Sequence, residues 1–218
     1  MKKTLSLAAV AASLIFSSQA NAKDGLYLGA DLLFANSNHH YQDRSSTGGS
    51  NNYNGTRTHD NSVGFALDAG YKVGFNQFFV APEIFFDQLN NSSSGFRYKQ
   101  VPGNKQDTVD LNYRYGAKLN LGYDITPKFN LFVNYGLANV DYDTRGWYAG
   151  GRKSAATELA QIYGFGLGYK ITENVSARLS YDRQSMHLRN TSVAVPGGDS
   201  ARYKSTLDVV KLGAVYSF

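Results

Sequence analysis

The sequence contains no cysteine, so neither a disulfide framework nor a thiolate metal site can form. Proline is scarce, at four residues in 218, and tryptophan occurs once, as Trp147. Past the N-terminal leader, no apolar run reaches the ~20 residues that a membrane helix needs. Charge of one sign is also lacking. With Lys2 and Lys3 of the leader set aside, 20 basic residues stand against 17 acidic ones. So mild an excess, with no basic cluster interleaved with aromatics, gives no expectation of a nucleic-acid partner.

The leader reads MKKTLSLAAVAASLIFSSQANA. Lys2 and Lys3 form a basic head, Leu5 to Phe16 an apolar run, and Ala20-Asn21-Ala22 fits the small-x-small rule for signal peptidase. The run is too short to span a bilayer as a helix. Residues 1–22 are therefore expected to be a cleaved secretory signal peptide, with one domain over 23–218.

Alternation at period two dominates that domain. In VDLNYRYGAKLNLGYD, the odd positions Val109, Leu111, Tyr113, Tyr115, Ala117, Leu119, Leu121 and Tyr123 are apolar or aromatic. The even positions are polar or glycine, so the stretch is expected to be one strand with a dry face and a wet face. Seven other segments follow the same rule: GLYLGADLLFAN, SVGFALDAGYKVGF, FFVAPEIFFDQL, FNLFVNYGLANVDY, ELAQIYGFGLGYKI, VSARLSYDRQ and the terminal VVKLGAVYSF. Pro82 interrupts the third and is expected to mark a bulge.

The connections alternate in length. FNQ, DITPK and TEN are short, whereas residues 37–61, 88–108, 143–157 and 186–204 are long and rich in Asn, Ser, Gly and Tyr. The expectation is an all-β fold: an eight-stranded antiparallel transmembrane β-barrel with short periplasmic turns and four long extracellular loops. Its place would be the bacterial outer membrane. Two aromatic belts support it, one with Tyr71, Phe75, Phe78, Tyr123, Phe129, Tyr169, Tyr216 and Phe218. The other holds Phe86, Tyr113, Tyr115, Tyr135, Tyr142, Tyr163 and Tyr181.

The wet faces then line the lumen. Asp31, Asp68, Lys72, Glu83, Asp87, Arg114, Lys118, Asn134, Lys170, Arg178, Asp182 and Lys211 point inward on this reading. Glu83 and Lys118 fall at matched depth on neighbouring strands, as do Asp31, Asp182 and Lys211 on another group. Opposite charges at matched depth offset each other's desolvation, so the expectation is a polar plug. The glycines of GFGLG, Gly164 to Gly168, make room in that lumen rather than forming a nucleotide loop.

This pattern of leader, eight alternating segments, long polar loops and a terminal Phe218 resembles the OmpA/OmpX-like superfamily of small outer-membrane barrels. It is similar in style to opacity-type surface antigens and adhesins. The resemblance implies outer-membrane lipids and lipopolysaccharide as surroundings and a C-terminal strand, with Tyr216 and Phe218, read by the barrel assembly machinery. It also implies loops that contact a host surface protein or a glycosaminoglycan. The cell-wall tethering of full-length OmpA is not expected here, since no tethering domain is expected after the barrel segments.

Enzyme chemistry finds little footing. Ser185-Met186-His187 inverts the His-x-Ser order of the outer-membrane lipid A deacylases, and a triad also needs a carboxylate to orient the histidine. His39, His40 and His59 fall in or near an expected loop, and no metal or cofactor is expected. The loops carry the stronger signal: Arg145, Trp147, Tyr148, Arg152 and Lys153 in the third, Arg189, Arg202 and Tyr203 in the fourth. Aromatic and arginine residues among small polar ones compose adaptable binding surfaces. The alternatives are a structural barrel without a ligand and a narrow gated porin.

Overall fold

The computed structural model describes residues 25–42, 57–92, 96–97, 106–145, 153–190 and 201–218. The strands are β1 (Gly25–Gln42), β2 (Arg57–Phe75), β3 (Phe78–Ser92), β4 (Phe96–Arg97), β5 (Gln106–Asp124), β6 (Phe129–Arg145), β7 (Lys153–Lys170), β8 (Val175–Asn190) and β9 (Ala201–Ser217). Each long strand pairs antiparallel with its neighbours, and β3–β5 pairing together with β1–β9 pairing closes the sheet. The two-residue β4 rides on the end of β5. Closure leaves no unpaired edge inside a bilayer, where an unmet backbone group costs several kcal/mol.

The stagger follows from the register. Partners run from Tyr27 to Gly70, Glu83, Lys118, Gly136, Ile162, Gln184, Leu207 and back to Ser37, ten residues further along β1. Eight strands with this stagger are tilted and enclose a lumen just wide enough for side chains. The short turns lie at one end. Asn76 adopts φ 57° in the first, a left-handed conformation that Asn tolerates. Thr126 and Thr172 hold the other two by accepting from the N–H groups of Phe129 and Val175, each at 3.0 Å.

Apolar side chains face outward in a continuous band. On β1 it runs from Leu26 to Phe34, nine residues, which matches the ~9–11 needed to cross a bilayer. Beyond that band the strands continue and their polarity inverts. Asn36, Asn38 and His40 face outward on β1, while Leu33, Ala35, Met186, Leu188, Leu207 and Val209 are buried inside. The protruding rim is thus built like a water-soluble barrel on top of a membrane one. Much of the sequence expected as long loops belongs to these extensions.

Three sequence expectations are corrected. Val109 and Leu111 were expected on the lipid face but are buried in the lumen. The β5–β6 register shifts between Leu111 and Tyr113, so the extra residue, Asn112, turns the alternation over. Tyr142 was expected in the loop-end belt and is instead packed in the apolar interior. Pro82 causes no bulge: β3–β5 pairing is unbroken through Ala81, Pro82 and Glu83, and the register against β2 is the same on either side of it. The irregularity of β3 lies between Gln88 and Asn91, with Asn90 at φ 49°.

Candidate functional site

Charges on the inward faces converge in mid-barrel because none can face lipid. Arg178 of β8 reaches Asp31 of β1 at 2.5 Å, Glu83 of β3 at 3.3 Å, and both carboxylate oxygens of Asp68 of β2. A second group gathers around Asp87 and Asp182. Arg114 Nε donates to Asp87 at 2.5 Å, Lys211 Nζ to the same carboxylate at 2.6 Å, and Arg114 also lies 3.5 Å from Asp182. Lys118 joins the two groups, 3.1 Å from Glu83 and 3.5 Å from Asp182.

Five carboxylates, Asp31, Asp68, Glu83, Asp87 and Asp182, thus face four cations, Arg114, Lys118, Arg178 and Lys211. Asp31 was expected beside Lys211, yet it pairs with Arg178, and Lys211 pairs chiefly with Asp87. Lys72 stands apart at the turn end, 3.5 Å from Asp124. Lys170 is exposed at that end.

Neutral donors complete the network. Tyr27 Oη donates to Glu83 at 2.8 Å, Asn120 Nδ2 to Glu83 at 3.1 Å, and Asn134 Nδ2 to Asp182 at 2.9 Å. The ring of Phe85 sits within 5.0–5.6 Å of Lys211, Lys118 and Arg114, a cation–π arrangement from three strands. Sequence reasoning missed Tyr27, Phe85 and Asn120. The side chains of Asp87, Arg114 and Asp182 are 0% exposed. Unpaired, each would be prohibitive there; multiply bonded, each is held in one place.

Aromatic and apolar layers sandwich this network. Toward the turns, Tyr27, Phe79 and Phe132 each lie over the glycine directly opposite on the next strand, Gly70, Gly122 and Gly166. A side chain at any of the three glycines would occupy the ring's place. A cavity of about 120 Å³ opens below Arg178, bounded by Phe79, Phe132, Asn120 and Lys72. Toward the loops lies the apolar cluster of Leu33, Leu89, Val140, Leu188 and Leu207, all 0% exposed. The charge network is therefore held at mid-depth, and the loop half of the interior is mainly apolar, with Ser37, His39 and Ser205 as buried polar members.

At the rim, Trp147, Tyr148 and Arg152 lie outside the described residues. The backbone sets Arg145 opposite Lys153 and Arg189 opposite Arg202, and it sets Tyr203 opposite Leu188 and Tyr41. His39 points into the lumen, 2.7 Å from Ser205 Oγ, where burial lowers its pKa to about 4. His40 and His59 lie on the outer face, so the wall separates them from His39. Ser185 and His187 are exposed outside, with Met186 turned in between them. Tyr216 and Phe218 also face outward, their rings edge to face at 5.0 Å.

Comparison with known proteins agrees with this architecture. OprG from Pseudomonas aeruginosa shares 13% identity over 90% of this chain and 96% of its own, at a TM-score of 0.55. The outer membrane protein AlkL shares 16% over 93% and 94%, at 0.53. Neisserial surface protein A shares 15% over 92% and 100%, at 0.51. At such identities the likeness is one of fold alone. Among curated proteins no match is found. The family model for the outer membrane protein beta-barrel domain matches residues 5–218, and with the closed, lipid-faced barrel described above, the chain belongs to that family of bacterial outer-membrane proteins.

Proposed function

We propose that the protein is a surface-facing barrel, loops outward and turns toward the periplasm, that binds anionic ligands of host or cell surfaces through its loop end. One observation carries this reading. Arg145 stands opposite Lys153, and Arg189 opposite Arg202, at the strand ends that lead into the third and fourth loops. Four basic residues that the backbone brings to neighbouring strand ends suit an anionic ligand. The buried mid-barrel network supports the same reading, since it leaves the rim rather than the lumen as the surface available to a partner.

The ligand class is sulfated or phosphorylated polymer or acidic protein, a glycosaminoglycan being the nearest host example. Trp147, Tyr148 and Arg152, in the sequence between β6 and β7, are assigned to the ligand on their chemistry alone. We read the chain as non-enzymatic, because among the described residues no carboxylate is given as a partner of His187, which shares the outer wall with Ser185. Tyr216 and Phe218 are assigned to the assembly machinery rather than to ligand. The test is retention of the refolded barrel on heparin and on host-cell surface protein, beside a form shortened within 143–157 and 186–204. Retention lost with the loops supports the proposal, and equal retention or none by either form refutes it.

A further inference from the structure

Both terminal nitrogens of Arg178 are committed to carboxylates. Nη1 donates to Asp68 at 3.0 Å and to Glu83 at 3.3 Å, and Nη2 donates to Asp31 at 2.5 Å and to Asp68. The Nε–H is buried and has no hydrogen-bond partner among the described residues. On β5, Asn120 Nδ2 donates to the Ala81 carbonyl at 3.2 Å and to Glu83 at 3.1 Å, whereas Asn120 Oδ1 is buried and likewise unpartnered. Arg178 and Asn120 are both more than nine-tenths buried, and both line the cavity of about 120 Å³ beneath the charge network. Its wall residues thus carry one unmet donor and one unmet acceptor, each costly to leave so.

The rest of that wall is largely apolar. Phe79, Gly122, Phe132 and Gly166 stand in one cross-strand row over β3, β5, β6 and β7, each ring lying over the glycine beside it. Ala81 and Val215 add aliphatic surface. The cavity is reached from the turn end, because Lys72, Asn130, Ser176 and Ser217 also line a depression of about 460 Å³ among the turns. The charge network separates it from the loop end. It is therefore additional to the loop-end surface proposed above and independent of any ligand there.

Charge and size select the occupant. The network above the cavity has one carboxylate more than it has cations, which disfavours an anion beneath it. Lys72 at the mouth is engaged by Asp124 at 3.5 Å and by the Phe79 ring at 4.0 Å. An ammonium group cannot accept from Arg178 Nε, and a carboxylate cannot donate to Asn120 Oδ1. A hydroxyl does both with a single oxygen, which suits so small a space. An apolar cavity of comparable size, about 150 Å³, takes benzene, and the open side here lets a ring extend toward the turns. We propose that this cavity binds a small neutral aromatic alcohol. Its hydroxyl accepts from Arg178 Nε and donates to Asn120 Oδ1, and its ring rests on Phe79 and Phe132.

The experiment is solution NMR of the detergent-refolded full barrel, read at the Asn120 side-chain amide and the Arg178 Nε–H. Phenol, toluene and benzoate are the probes. Ligand dissolved in the micelle does not saturate these two signals, so it is told apart from ligand in the cavity. Wild type is expected to respond saturably to phenol, with about tenfold weaker binding of toluene, which lacks the hydroxyl. Benzoate should give no response. Val215→Phe, which fills the cavity from β9, should abolish the phenol response. Asn120→Leu, read at Arg178, should weaken phenol about fivefold and leave toluene unchanged. Equal affinity for toluene and phenol overturns the proposal, since the cavity would then be a plain apolar void. Binding of benzoate as tight as that of phenol overturns it as well. A saturable phenol response that survives Val215→Phe places the ligand elsewhere and refutes it. Wild type unmoved by all three probes leaves water alone as the occupant, which also refutes it.

Discussion

Glu83 and Lys118 are register partners on β3 and β5, and the Lys118 ammonium lies 3.1 Å from the Glu83 carboxylate in the middle of the barrel. Glu83 also accepts from Tyr27, Asn120 and Arg178, while Lys118 also reaches Asp182. The pair is the joint between two charge groups drawn from β1, β2, β3, β5, β8 and β9.

Removing one member leaves buried charge uncompensated. Lys118→Met is expected to cost about 3–5 kcal/mol, the usual range for a broken buried pair. Arg178→Met should cost more, since Arg178 holds three carboxylates. Glu83→Gln combined with Lys118→Met should cost less than the two single changes added together. Urea unfolding from lipid vesicles, followed by tyrosine and tryptophan fluorescence, measures all four.

The second prediction concerns the aromatic–glycine pairs. A Cβ at Gly122 meets only the Phe79 ring among its three nearest atoms, so Gly122→Ala should destabilise by about 1–3 kcal/mol through overpacking. Phe79→Leu in the same chain should return part of that loss. A double-mutant cycle on unfolding free energy reads the coupling, and additive effects would count against the contact.

How much of this was legible beforehand differs along the chain. In β2 from Val63 to Val73 and in β7 from Tyr163 to Tyr169 the inward residues are glycine, small or charged, so the lipid face could be read directly there. In β3 the run FFVAPEIFF is apolar on both faces, and Phe79 and Phe85 could not be assigned to the lumen by periodicity. Asn112 hides its bulge because Val109 and Leu111 continue the odd-numbered apolar series into the region where apolar residues point inward. The strand extensions were read as loops for the same reason: past the membrane the alternation changes phase. Inward charges were legible singly, since lipid rejects them. Their partners were not, because the ten-residue stagger decides which strands meet at one depth, and it is this that gives Asp31 to Arg178.

His39 supplies a pH-dependent prediction. It lies beyond the apolar band, buried beside Ser205, with its pKa lowered to about 4 by desolvation. The unfolded chain, with an ordinary imidazole near ~6.5, binds the proton more readily than the folded one. Stability from this group is complete above pH ~6.5, falls as pH drops toward 4, and levels off below; the full span is about 3 kcal/mol. His39→Gln should flatten that part of the profile. The measurement is unfolding free energy at pH 7.5 and pH 4.5 for both proteins, and an identical pH dependence would contradict it.

The central claim is that the mid-barrel charges and the apolar layer above them seal the lumen, leaving the loop end as the acting surface. Planar-bilayer conductance of the refolded wild-type barrel tests it most directly. The account predicts a quiet membrane, with openings appearing once Glu83→Ala and Lys118→Ala together remove the joint. Large, stable openings from the wild-type barrel would contradict it.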